Sequence, residues 1–264
     1  MLMINFFYNT IVKFVFLVFM TMVLFLSYCS AVNKHTYKPI KAITIIANLD
    51  FVTVDKGEFI HVEDSFKVLY YQDMVLYQVP QIYEVTQAVV RNDTIEEKII
   101  SSEIRYKYFV YNATSPFGYK YDSLSAQTHD LFSIDSFLSS KAYAKFNFYD
   151  KANDTLVETI IDQKTKIVTE KYLPRIKYDE TYADSSYRFF TDHQLNVDFS
   201  FSKYLDSIKN KKLFKVVFVY NSIPKGKYPF DVPRRSFVFE MKKTQFINAK
   251  EIINFLERVK PLQK

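Results

Sequence analysis

From residue 66 onward, apolar residues recur mostly at a spacing of two, interrupted by short polar turns, which is the pattern of antiparallel β-structure. Residues 66–71 (FKVLYY) and 74–79 (MVLYQV) flank Gln72-Asp73 and predict a tight hairpin, with Asp73 suited to left-handed geometry. Residues 82–91 and 95–111 flank Asn92-Asp93-Thr94 and predict a second hairpin. In its return strand Ile100, Ile104, Tyr106, Tyr108 and Val110 share one parity. Glu103, Arg105 and Lys107 take the other, the mark of a strand with one buried face. A third hairpin is predicted over 156–161 and 166–172, turning at Asp162–Thr165. Leu213–Tyr220 and Ser236–Met241 are further strands, rich in β-branched and aromatic residues.

Helical spacing is rarer. Residues 131–142 fit a helix. Residues 203–211 fit another, with Ser202 as its cap and Leu205 and Ile208 on one face. The clearest helix lies near the C-terminus: Asn248 caps it, Glu251 completes a capping box and Pro261 ends it. Its Ile252, Ile253, Leu256 and Val259 form a stripe that must dock on a sheet. These elements predict an α+β fold, a large antiparallel β-sheet built from hairpins with a few helices including a C-terminal one; a lipocalin-like β-barrel is the alternative. The loop 113–128, with Pro116 and Gly118, is the one candidate internal boundary.

The N-terminal segment follows a different rule. Phe14 to Val32 is an uncharged run between Lys13 and Lys34, and its apolar stretch Phe14–Leu26 ends in Ser27-Tyr28-Cys29-Ser30-Ala31. A positive residue, an apolar stretch and then small residues make a signal peptide, cleaved after Ala31. Residues 1–31 are therefore expected to be a signal peptide or N-terminal membrane segment, and 32–264 a single exported β-rich domain. Leu26-Ser27-Tyr28-Cys29 also resembles a bacterial lipobox, which would place a lipid on Cys29, although Tyr28 stands where that motif has a small residue. Retention as a membrane anchor is the third fate. Lys34, Lys38 and Lys41 on the far side of the run argue against it, because an exported C-terminus favours positive charge on the near side.

Composition then removes whole classes of chemistry. The chain has 264 residues but only three glycines, Gly57, Gly118 and Gly226, far apart. Phosphate loops, dinucleotide fingerprints and nucleophile elbows need clustered glycines, since a Cβ blocks their positive φ and close approach. Cys29 is the sole cysteine, so the exported part has no disulfide and no thiolate metal site, which fits a bacterial envelope better than a disulfide-bonded secreted domain. The 26 Phe and 21 Tyr supply ample core and argue against disorder.

Charge is uneven. The net is +6, yet Lys203 to Lys264 alone carries 15 Lys+Arg against 5 Asp+Glu. Lys209-Asn210-Lys211-Lys212, Arg234-Arg235 and Lys242-Lys243 would suit anionic lipid or acidic polysaccharide; a solvated face paired with the acidic remainder is the plainer account. No nucleic-acid motif is present.

Candidate chemistry is sparse. The four histidines, His35, His61, His129 and His193, are never four apart, so no helical metal pair forms. His61 and Glu63 share a strand face. His129-Asp130 and Asp192-His193 are each half of a triad, which geometry alone would complete. Asp179, Glu180 and Asp184, among Tyr178 and Tyr182, would serve a sugar or Ca²⁺, but the patch lacks the calcium-loop glycine. Tyr70, Tyr71, Tyr77, Tyr83, Tyr106 and Tyr108 would line a cavity or fill a core. The resulting expectation is an exported envelope protein, a non-enzymatic binding or structural module, with no cofactor, no metal, no catalytic residue and no nucleic acid. It would associate with a membrane through its N-terminal segment or lipid. A carboxylate hydrolase of envelope polymers and a peripheral protein bound to anionic lipid are the alternatives.

Overall fold

The structure, a computed structural model, describes residues 40–264 apart from 54, 92–93, 141–142, 144–147, 180–181, 193–196, 227, 245–248 and 261–264. Among the described residues, eleven antiparallel strands form one open sheet: β1 (Lys41–Val52), β2 (Phe59–Tyr71), β3 (Met74–Arg91), β4 (Thr94–Asn112), β5 (Phe117–Tyr121), β6 (Asp130–Ser133), β7 (Asp154–Ile161), β8 (Val168–Pro174), β9 (Ser185–Thr191), β10 (Lys212–Tyr220) and β11 (Arg235–Lys243). Three short helices among the described residues accompany them: α1 (Ile134–Ser140), α2 (Lys203–Lys209) and α3 (Ala249–Val259). The strand order is β6-β5-β4-β3-β2-β1-β11-β10-β9-β8-β7, so two meanders meet where β1 pairs with β11. The two edge strands, β6 and β7, are consecutive in sequence.

The three predicted hairpins form, with local differences. The β2–β3 turn takes its positive φ at Gln72 (56°) and not at Asp73, whose side chain accepts instead from Asn112 Nδ2. Asp162 Oδ1 accepts from the backbone of Lys164 and Thr165 to close the β7–β8 turn, and Lys166 carries the positive φ. Of the helix expected over 131–142, residues 131–140 divide between β6 and a helix of seven residues, because Leu131 and Phe132 pair with Tyr119 and Gly118, while 141–142 lie outside the described residues. The loop 113–128 is no boundary: β5 lies inside it and pairs with β4. Ser202 caps α2 as expected, accepting from Leu205 N, while Asn248 and Pro261 lie outside the described residues.

Both faces of the sheet are partly covered. On the first face, Ile43, Ile45, Phe66, Tyr77, Val216 and Phe239 pack against Phe137 of α1, Leu205 of α2, and Phe148, Phe199 and Phe201 of the connections. On the second, α3 lays Ile252, Ile253, Phe255, Leu256 and Val259 on Leu69, Leu76, Tyr108, Val110 and Tyr121. Tyr71 Oη donates to Glu257 Oε1 at 2.7 Å and Arg258 Nη2 donates to the carbonyls of Leu124 and Ala126, which fixes the helix along the sheet.

One row of paired residues crosses the first face from β2 to β8: Asp64, Ala47, Phe239, Val216, Arg188 and Glu170. It is apolar in the middle and charged toward both ends. Tyr143 Oη donates to Asp64 Oδ2 at one end, and at the other Tyr172 Oη and Lys209 Nζ both donate to Glu170. A charge taken out of water must be paired or hydrogen-bonded, and each of these is.

The expected buried face of β4 is realised only in part. Tyr108 and Val110 are buried, but Ile104 is 61% exposed. The register between β3 and β4 slips where Val85 faces Ser101 and Thr86 faces Ile99, so Ile100 is an extra residue that leaves the alternation. Beyond Gln78 and Tyr108 the β3–β4 hairpin has left the sheet.

Candidate functional site

At the end of the first face where β1 and β10 finish and β11 starts, the chain builds two adjoining cavities. The turn after β1 is closed by Gly57 N donating to Thr53 O and Glu58 N to Thr53 Oγ1. The β10–β11 loop is held by the Ile223–Val232 bridge, and Lys225 N donates to Asp231 Oδ1. The two segments touch at Phe230, whose ring lies over Gly57 so closely that a Cβ there would stand 2.5 Å from Phe230 Cγ.

Between them is a cavity of about 280 Å³ lined by Phe51, Tyr220, Tyr228, Phe230, Phe237 and Arg235, with Val52, Thr53, Ile223 and Val232. Its rings brace one another: Phe51 and Phe237 have centroids 5.0 Å apart, Tyr220 and Phe237 5.1 Å, and Tyr228 stacks on Phe230 at 6.0 Å. Strand register places Tyr220 opposite Arg235, and the guanidinium carbon sits 4.9 Å from the Tyr220 centroid. Burial pushes the Tyr220 hydroxyl pKa up, against the opposing charge of Arg235.

Tyr220 also lines the second cavity, of about 270 Å³, with Phe148, Asp150, Asn153, Asp154, Tyr182, Ser185, Ser186 and Phe218. This cavity is polar, but its carboxylates are engaged in holding the chain. Asp150 Oδ1 accepts from Ala152 N at 2.9 Å. Asp154 Oδ2 accepts from Asp150 N at 2.8 Å and from Arg188 Nη2 at 2.6 Å. Arg188 is fully buried beneath, donating Nε and Nη2 to the Phe148 carbonyl, and Tyr172 covers its guanidinium at 3.9 Å.

Asp184, just ahead of β9, ties the chain to the end of β10. Its backbone N donates to Val219 O, and its carboxylate accepts from Lys177 Nζ and Asn221 N, both at 2.7 Å. Burial pushes its pKa up, but these donors, with the charges of Lys177 and Arg235, outweigh burial and hold it below the ordinary range.

The residues singled out in the sequence fare unevenly. Cys29, Ala31, His35, Glu180 and His193 lie outside the described residues. His61 Nδ1 meets Asp50 Oδ1 at 2.8 Å and does not join Glu63. Ser236 Oγ donates to Asp50 Oδ2, so serine, histidine and aspartate converge on one carboxylate without the serine–histidine bond a triad requires. Burial raises the Asp50 pKa, while His61 and Ser236 bring it below the usual value. The His129 ring packs edge-on against Tyr119 at 4.4 Å, and Asp130 pairs with Lys120 at 2.7 Å. Asp192 pairs with Lys211. Among the described residues no three His, Cys, Asp or Glu side chains gather where a metal ion would be held, and no helix is long and apolar enough to cross a membrane.

Tyr71, Tyr77 and Tyr108 are buried in the core and line neither cavity, whereas Tyr182 lines the polar one. Lys209, Lys211, Lys212, Lys215, Lys242 and Lys260 of the basic C-terminal third each have a carboxylate within 4 Å. Phe51, Tyr220 and Phe237 were not singled out in the sequence, and Arg235 stood out only within the basic pair Arg234-Arg235. The signal that pointed to them was the stretch Asn221–Pro233, where Pro224, Gly226, Pro229 and Pro233 interrupt two strands whose inner ends are aromatic or basic.

No protein-family model matches the chain, and no characterised protein is detectably similar to it in sequence.

Proposed function

We propose that this chain is an exported, non-enzymatic binding module of a bacterial envelope that holds a flat, apolar ligand bearing an anionic group in the aromatic cavity at the end of its sheet. One observation carries the reading: five rings, from Phe51, Tyr220, Tyr228, Phe230 and Phe237, surround about 280 Å³ with a single guanidinium among them. Concave, mainly apolar sites with a few placed polar groups are where small molecules bind. The cavity size suits a ligand of one or two fused rings. Arg235, stacked on Tyr220, puts a guanidinium in the lining, the group whose planar fork suits a carboxylate or sulfonate.

The finer fold reading that accompanies this is an α+β sheet with helices on its faces, not a closed lipocalin-like barrel. Export rests on the leader, cleaved after Ala31 or lipidated at Cys29. The mass and N-terminus of the protein recovered from membrane and soluble fractions distinguish the two. A carboxylate hydrolase is the rival. Against it, Asp150 and Asp154 each commit one carboxylate oxygen to holding the chain, through backbone amides and Arg188, where an acid–base pair would face a substrate. The peripheral-membrane reading loses support from the lysines that face carboxylates of the chain itself.

The test is a titration with 2-naphthoate and with uncharged 2-methylnaphthalene, read by heat or by tyrosine fluorescence. Naphthoate is expected to bind with a Kd below about 1 mM and several-fold more tightly than the neutral ring. Phe237→Ala should abolish both, and Arg235→Gln should remove only the preference. Binding unaffected by Phe237→Ala would place the ligand elsewhere and end the proposal.

A further inference from the structure

Beyond the sheet, the β3–β4 hairpin runs on as a two-stranded arm. β2 accompanies β3 only from Met74 to Gln78, and β5 accompanies β4 only from Tyr108 to Val110. The pairing of β3 with β4 continues to Arg91 and Thr94. From Val79 to Arg91, at a rise of roughly 3.3 Å per residue, the arm extends about 40 Å. The side chains of residues 81–88 and 97–106 are exposed. A two-stranded ribbon without a third strand is marginal in water, and each unpaired edge is a template for another strand.

The β4 edge carries information about what that strand is. The extra residue at Ile100 shifts the alternation, so Lys98, Ser101, Glu103 and Arg105 share one face while Glu97, Ile99, Ser102 and Ile104 share the other. Only registers that match face to face are acceptable in an added strand. A second β4 laid antiparallel about a two-fold axis between Ile100 and Ser101 meets that condition. It sets Glu103, whose oxygens also accept from Arg105 Nε and Nη2 of its own strand, opposite Lys98 of the other copy, twice by symmetry, and Ser102 opposite Ile99. Slipping the pair by one residue mismatches the faces. Slipping two residues toward the body sets Arg105 opposite Lys98, a like-charge pair that is destabilising.

Other edges lack this property. On β3 the segment Gln81–Val89 has Glu84 as its only charge, so no self-pairing gains an ion pair. On β7 the only charge between Thr155 and Ile161 is Glu158. A bilayer fits the arm poorly, because the apolar face that carries Ile82, Ile99 and Ile104 also carries Glu84 and Glu97 and no Lys or Arg.

We infer that two copies of this chain associate through the outer edge of β4, forming a four-stranded antiparallel ribbon in which Glu103 of each copy pairs with Lys98 of the other. The partner is a second copy because the edge is complementary to itself in charge and in face. This pairing is independent of the aromatic cavity.

The experiment is sedimentation velocity on the chain as an exporting host processes it, between about 1 and 100 µM, a range that spans ordinary dimer affinities. The wild type should show a concentration-dependent dimer. Glu103→Lys and Lys98→Glu should each weaken it by about tenfold or more, since each turns two opposite-charge pairs into like-charge pairs. Mixing the two variants should restore wild-type affinity, because both pairs in the mixed dimer again have opposite charge. Unchanged circular dichroism guards against misfolding. A monomeric wild type, single variants that still dimerise as wild type does, or a mixture that stays monomeric would each overturn the inference.

Discussion

Phe230 rests its ring on Gly57, where a side chain has no room. Gly57 holds a φ of 71°, and a Cβ would meet three carbons of the Phe230 ring at 2.5 to 2.9 Å. This contact joins the β1–β2 turn to the β10–β11 loop and so closes one side of the aromatic cavity. Gly57→Ala should therefore cost about 1–3 kcal/mol, part from left-handed strain and part from the displaced ring. It should also weaken naphthoate binding while leaving the far-UV spectrum unchanged. A thermal melt and the ligand titration, run side by side, check this.

Arg188 and Glu170 stand opposite each other on β9 and β8, yet each turns to different partners. Arg188 goes to Asp154 and the Phe148 carbonyl, Glu170 to Tyr172 and Lys209. Removing one member of a buried pair strands the other. Arg188→Met should destabilise the chain by about 3–5 kcal/mol in urea titration. Adding Asp154→Asn should recover part of that loss, because the stranded charge is gone.

Acid should weaken the site through Asp184. Its folded pKa lies below the ordinary value, so its stabilising contribution is complete above the unfolded pKa of about 3.9 and is lost as pH falls through the folded one. Asp184→Asn should lower stability at pH 7 by about 1–2 kcal/mol, since a charge-assisted bond to Lys177 is lost. It should also flatten the fall in stability as pH drops below the unfolded carboxylate pKa of about 3.9. Denaturant midpoints across that range are the measurement.

Two residues of one strand separate pattern from burial. Val110 and Ile104 share the parity that predicted a buried face, but Val110 is fully buried under α3 and Ile104 is 61% exposed on the arm. Val110→Ala should cost about 2 kcal/mol, whereas Ile104→Ala should stay within about 0.5 kcal/mol at concentrations where the chain is monomeric. Equal losses in thermal melts would show that the arm is covered.

Much of the secondary structure was legible because it depends on neighbours in sequence. The turn residues between 71 and 74 and between 161 and 167 terminate strands by local backbone chemistry, and those hairpins follow. The stripe of Ile252, Ile253, Leu256 and Val259 specified a helix with one buried side, and that side is buried. β9 was missed because its alternation is irregular and includes Arg188, a residue that no local rule places in a core.

Residue type and short spacing were enough to specify the antiparallel hairpins and the docking stripe of the last helix, since each depends on neighbours along the chain. Tertiary structure decided that β11 returns to β1, that Tyr220 faces Arg235, that Gly57 receives Phe230 and that half of β4 leaves the sheet. Those outcomes join residues from 15 to 200 positions apart, and their energies depend on register and burial that no local window contains.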